Sequence, residues 1–299
     1  MTKLPTLHTR LILASLVCAA SVLSGCASSS NANGTAGIDN SSIGKPDFRQ
    51  HRTTYGLVYR LPADVTGILD MQVMPVVQQA LLKQGLVAEA NTFNLPHVTV
   101  VHIHNSDPAT PERMLRALPQ LPPVLKGVHL QNFYTTEAAK GAGKPWWLDL
   151  GVVKKGTAFE DMMAFNTRAT AALTPLRDGP LPRVTGPVYA KMSDAGKELV
   201  RTVGVSGVNV IKEGKELRTH NPHNTLVYSE ASFTPQTESA MNQVAGQLNK
   251  ILPGGIVTTF DTVSIVELAF SGNVTREIYR INLQDGSVAD VRNGLPVKR

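Results

Sequence analysis

A Pro-His-x-Thr pattern occurs twice in the chain, as Pro96-His97-Val98-Thr99 and as Pro222-His223-Asn224-Thr225. Side chains two positions apart on a strand share one face, so each copy presents a titratable imidazole beside a hydroxyl able to bond a phosphate oxygen. A bare His-x-Thr has little information content, and His51-Arg52-Thr53 is one that carries no weight. Requiring the proline and a second occurrence lowers the chance expectation to on the order of one in a thousand. The rest of the chain is read around this pair.

At these residues the chain resembles the 2H phosphoesterase superfamily, named for two H-x-T/S-x motifs and including the bacterial RNA 2′,3′-cyclic phosphodiesterases, also called 2′-5′ RNA ligases. Gly56-Leu57-Val58-Tyr59-Arg60-Leu61-Pro62 resembles that family's opening strand and following proline, and Lys144 to Val152 resembles its central strand. The last strands, through Val263 and Glu267 to Tyr279, fall in the family's order. Most of the chain after the first fifty residues is covered. The resemblance implies an α+β, bilobal fold, with two pseudo-twofold-related lobes of antiparallel sheet, helices on the outer faces and a central cleft.

The N-terminus reads as an address. Lys3 and Arg10 supply a basic region, Leu11 to Val22 an apolar one too short for a stable span, and Leu23-Ser24-Gly25-Cys26 a lipobox. Residues 1–25 are therefore expected to be a lipoprotein signal peptide and Cys26 the lipidated residue, anchoring the protein to a bacterial membrane on its extracytoplasmic side. Ala27, where many inner-membrane lipoproteins have aspartate, favours the outer membrane in a cell with two. Cys18 is the only other cysteine, so the mature chain has no disulfide, thiolate nucleophile or cysteine metal ligand. Residues 26–47 are rich in Ser, Asn, Gly and Ala and are expected to form a flexible tether reaching roughly 25 Å. The formal charge of +6 shrinks once Lys3 and Arg10 leave, and supports anionic substrates or headgroups only weakly.

Residues 48–299 alternate short β-branched runs with amphipathic segments, the mark of an α+β domain. Strands are expected at 55–61, 97–103, 127–134, 146–153 and 224–229, with two or three more over 257–283. Val73, Val76, Val77, Ala80 and Leu81 have helical spacing, with Pro75 in the first turn and Gly85 as the stop. Further helices are expected at 110–118, at 158–173, and from Thr234-Pro235 through Met241, Val244, Leu248 and Ile251. Residues 176–219 depart from the family pattern. A strand pair, 199–205 and 208–211, is predicted there, either a surface hairpin, the reading favoured by the low thermodynamic cost of loop insertions, or a lid over the cleft or a partner-binding arm.

Hydrolysis of a cyclic phosphodiester needs a base to take a proton from water and an acid to protonate the leaving sugar oxygen on the opposite side of phosphorus. His97 and His223 are the expected pair, and Thr99 and Thr225 the expected ligands of the non-bridging oxygens. No metal or cofactor is required. His97, His102, His104, His220 and His223 could alternatively be read as a zinc cluster, but regular strand alternation puts His102 and His104 opposite His97, and His220 opposite His223. By the resemblance, Tyr134, Trp147 and Tyr279 are candidates for stacking on a nucleobase, with core packing the competing role. Adjacent Trp146 and Trp147 must face opposite ways, so only one can see the cleft.

The expected function is metal-independent hydrolysis of a 2′,3′-cyclic or related 2′-5′ phosphodiester by a lipid-anchored monomer that forms no stable nucleic-acid complex. The rival from another class is a non-catalytic envelope lipoprotein using the same fold as a binding module.

Overall fold

Tyr55, Leu57 and Tyr59 alternate with Gly56 and Val58 in a segment apolar on both sides, and the chain there forms a strand buried on both faces, β1 (Thr54–Arg60). This computed structural model describes residues 37–45 and 53–297; the signal segment and Cys26 lie outside the described residues. After β1 come β2 (His97–His104), β3 (Leu125–Glu137), β4 (Trp146–Val152), β5 (Val210–Lys212), β6 (Lys215–Leu217) and β7 (His223–Ser229). Then follow β8 (Ile256–Phe260), β9 (Thr262–Leu268), β10 (Val274–Asn282), β11 (Val288–Asp290) and β12 (Leu295–Val297). Ten of these make one antiparallel sheet in the order β12-β11-β10-β9-β1-β2-β7-β4-β3-β8, while β5 and β6 pair separately. The two motif strands are neighbours in the middle of the sheet, joined by a single paired position, Val98 opposite Asn224.

The helices are α1 (Ala63–Ile68), α2 (Met74–Lys83), α3 (Val87–Ala90), α4 (Thr110–Ala117), α5 (Thr157–Leu173), α6 (Pro187–Lys191), α7 (Asp194–Val203) and α8 (Pro235–Ile251). The main core joins Val77 and Leu81 of α2, Met114 of α4, Phe165 of α5 and Leu248 of α8 to Leu57, Tyr59, Val98, Trp146 and Leu148 of the sheet. Trp146 is fully buried and stacks on Phe233 at 4.8 Å. Apolar burial of this size is the main stabilising term of the fold.

Several boundaries differ from expectation. The first helical run begins at Ala63 rather than near Pro75, because a π turn over Leu69–Val73 accommodates the missing N–H of Pro75 before α2 continues. Ile251 is 36 % exposed and does not join the buried stripe of α8. Two strands, β11 and β12, follow the expected end of the sheet at residue 283.

The largest difference is in residues 176–219. The predicted strand over 199–205 is helical: Ser193 accepts a hydrogen bond from the Gly196 amide as N-cap of α7, and Gly204, at φ 79°, ends the helix in the left-handed conformation. Leu199, Val200 and Val203 then share a face and build a small separate core with Leu181, Val184, Val205 and Val208. Ile43 packs on this core, and Asn40 donates from Nδ2 to the Arg201 carbonyl at 3.1 Å. Residues 37–45, inside the span read as a tether, are thus seated on the inserted segment.

Candidate active site

The two motif strands share a local irregularity. In β2, Leu57 of β1 pairs with Val101 and Val58 with Thr99, so Val100 is an extra residue. In β7, Leu148 of β4 pairs with Val227 and Asp149 with Thr225, so Leu226 is extra. Each bulge falls one residue after the motif threonine and reverses the alternation beyond it. His102 consequently joins Thr99 on the face away from the helices, and Tyr228, at the matching place five residues after His223, joins Thr225. This corrects the expected placement of His102 opposite His97, which assumed regular alternation.

On that face lies a cavity of about 290 Å³ walled by Thr99, His102, Trp147, His223, Thr225 and Tyr228 of the sheet, with Arg183, Val205 and His220 from the inserted segment and its return. The insertion therefore supplies a wall of the site, and the expected surface hairpin is confined to the exposed β5–β6 pair within it. His220 precedes β7 and lies in this wall, its Nδ1 donating to the Gly207 carbonyl at 3.2 Å, and is not set opposite His223 as expected. His104 bonds Thr54 through Nδ1 at 3.0 Å. Among the described residues no three His, Cys, Asp or Glu side chains converge as a metal site.

Both motif histidines are held in the same way. His97 Nδ1 lies 2.8 Å from the Leu95 carbonyl, and His223 Nδ1 lies 2.6 Å from the Asn221 carbonyl. A carbonyl only accepts, so Nδ1 carries the proton in each ring and Nε2 is left for proton exchange. His97 is only 3 % exposed. Burial, opposed by the Leu95 carbonyl and aided by the charges of His223 and Arg183, lowers its pKa to about 4. Its ring stacks at 6.5 Å from that of Tyr228, and His223 itself lines the cavity. Asn224 is buried and accepts the His97 backbone N–H through Oδ1 at 3.1 Å. It links the two motifs where the strands otherwise share one paired position.

The two threonines differ. Thr99 faces the cavity, whereas Thr225 donates to Asp149 Oδ1 at 2.6 Å. Asp149, fully buried on β4, also accepts from Thr136 at 2.7 Å and lies 3.8 Å from His223 Nε2. Its counterpart beside Thr99 is Val58. Asp149 was missed, although a lone carboxylate within Trp146-Trp147-Leu148-Asp149-Leu150 is a visible signal.

Of the candidate stacking residues, Trp147 lines the cavity with its indole N–H donated to the Ser271 carbonyl at 2.9 Å. Tyr134 is outside it, with its hydroxyl accepting from Asn221 Nδ2 at 3.1 Å. Tyr279 is 4 % exposed on β10, donating to Glu112 with the Arg292 guanidinium over its ring, and is a packing residue.

A pH dependence follows. Burial, the first cause in each case, lowers the pKa of His97 and His220 to about 4 and that of His102 well below the ordinary 6.5. Between those values the unfolded chain binds more protons than the folded one, so stability is complete above about pH 6.5 and falls as pH drops toward 4. Thermal unfolding at pH 7.5 and 4.5 is expected to show the drop, and His220→Gln to reduce it; equal slopes in the two proteins would remove His220 from the account.

No family model matches the chain, and no curated protein matches it. Among solved structures, that of Kluyveromyces marxianus Usb1 is similar at 14 % identity and a TM-score of 0.34, the match covering 78 % of this chain and 98 % of that one.

Proposed function

We propose that the protein is a metal-independent phosphodiesterase of the 2H type, acting on a 2′,3′-cyclic or related 2′-5′ phosphodiester. The observation that carries this reading is the shared setting of His97 and His223: adjacent antiparallel strands, the same tautomer fixed by a carbonyl two residues upstream, and a bulge at the same place after each threonine. One imidazole takes a proton from water while the other protonates the leaving sugar oxygen. His97, kept neutral by burial, suits the base, which leaves His223 the acid. The bilobal arrangement belongs to the same reading, with β1 outside β2 and β4 outside β7 as corresponding strands.

The test is turnover by the full chain in EDTA of the four nucleoside 2′,3′-cyclic monophosphates, followed by phosphorus NMR across pH. A bell-shaped profile with a single phosphomonoester product supports the two-histidine mechanism and identifies the leaving oxygen. One observation favours the binding-module reading instead: His97 is nearly covered and is not part of the cavity wall. Absence of turnover with all four substrates would favour that reading.

Lipid anchoring through Cys26 belongs to the same proposal and rests on the lipobox. A nucleotide phosphodiester released from degraded RNA fits the extracytoplasmic side better than an RNA-processing intermediate. Cys26→Ser is expected to move the protein from the membrane to the soluble fraction; unchanged partitioning would remove the anchor.

A further inference from the structure

The inserted segment brings a guanidinium into the cavity. Arg183 follows Pro182 in a short 3-10 turn and reaches β2, where its Nη2 lies 3.1 Å from His102 Nδ1 and 3.4 Å from Nε2. An arginine only donates, so one of these ring nitrogens accepts and His102 is neutral. Nη1 reaches the Phe270 carbonyl at 3.5 Å, a long contact. The guanidinium lies against the backbone at Gly272: a Cβ there would stand 3.4 Å from Arg183 Cζ and Nη1. The site is anchored from a second side, since Arg177 of the same segment donates to the His102 carbonyl at 2.7 Å.

What Arg183 lacks is a counter-charge. Among the described residues no carboxylate forms an ion pair with it, and the acid in the cavity wall, Glu137, accepts instead from the amides of Gly141 and Gly143. Burial lowers the Arg183 pKa to about 10, which leaves it cationic at neutral pH. A half-buried cation with unused N–H groups, facing a cavity walled by hydroxyls and imidazoles, calls for an anion. The second motif adds a chemical reason. Thr225 gives its proton to Asp149, so it has none for a phosphoryl oxygen, and a transition state with charge on two non-bridging oxygens needs another donor beside Thr99.

We propose that Arg183 is the oxyanion ligand of this cavity, binding the non-bridging oxygens of a phosphoryl group in the position that Thr225 cannot serve. The inserted segment thereby completes the site. The identity of the anion as the reacting phosphoryl group rests on the phosphodiesterase reading; anion binding itself does not.

Calorimetric titration of the full chain in EDTA with inorganic phosphate and with adenosine 3′-monophosphate separates the two. Arg183→Gln is expected to weaken binding of both by about 10- to 100-fold, the loss typical of a charge-assisted hydrogen bond. Arg183→Lys, which keeps the charge without the planar fork, should recover part of it and guards against a folding artefact. No binding by the unmodified chain, or equal affinity in Arg183→Gln, overturns the assignment. With a hydrolysed cyclic nucleotide, Arg183→Gln is expected to lower kcat as well as kcat/KM, and a change in KM alone would overturn a role in the transition state. Binding that depends on Arg183 without turnover of any cyclic nucleotide would retain the anion site and refute the phosphodiesterase.

Discussion

Replacing either motif histidine by alanine is expected to lower kcat/KM for a nucleoside 2′,3′-cyclic monophosphate by about 10²–10⁴-fold, the range for loss of a general acid or base. The double variant should be only slightly worse than either single one, because the two rings act on one transition state. The variants also differ in a way that separates chemistry from packing. His223 is partly exposed in the cavity wall, so its loss should leave the thermal midpoint nearly unchanged. His97 is buried and bonded to Leu95, so His97→Ala also opens a void, and His97→Gln is the cleaner probe of catalysis. Activity retained within tenfold in both His97→Gln and His223→Ala would end the two-histidine mechanism and favour a binding module.

The second large effect is on stability. Asn209, fully buried in the inserted segment, accepts the amides of Thr219 and His220 through Oδ1 at 3.1 and 3.0 Å and donates from Nδ2 to the Met163 carbonyl at 3.1 Å. Its own amide donates to Asn166 Oδ1 at 2.8 Å, and Asn166 in turn donates to the carbonyl of Val100, the extra residue of the β2 bulge, at 2.6 Å. Two buried amides thus tie the first motif's bulge to the approach of the second motif. Asn209→Ala leaves several backbone groups unpaired and is expected to cost roughly 2–4 kcal/mol. That corresponds to a fall in thermal midpoint of about 5–15 °C for a domain of this size. A change under 1 °C would show that water replaces the side chain. Because the chain leads to His220 and the motif strand, affinity for phosphate should weaken in the same variant.

Local pattern was enough for the elements that hold the site. β-branched runs after each Pro-His marked β2 and β7, Thr234-Pro235 marked the start of α8, and alternation put Trp146 and Trp147 on opposite faces. These depend on neighbours in sequence: side-chain period, a cap, a missing N–H. The bond from the His97 amide to Asn224 was not readable in this way.

What tertiary structure decided depends on partners distant in the chain. A bulge belongs to a pair of strands, so the reversal that brings His102 and Tyr228 to the cavity could not be read from β2 or β7 alone. Helix α7 carried local signals, Ser193 before it and Gly204 after it, but its valines also suit a strand, and burial against Leu181 and Ile43 decided between them. Arg183 is one basic residue in a proline- and glycine-containing segment until the fold lays it on His102 and Gly272. The sequence by itself determined the two motif strands and the histidine and threonine that each carries. Packing of distant segments determined which of them share a cavity, because strand register, loop course and the burial of charge are set by contacts between residues far apart in the chain.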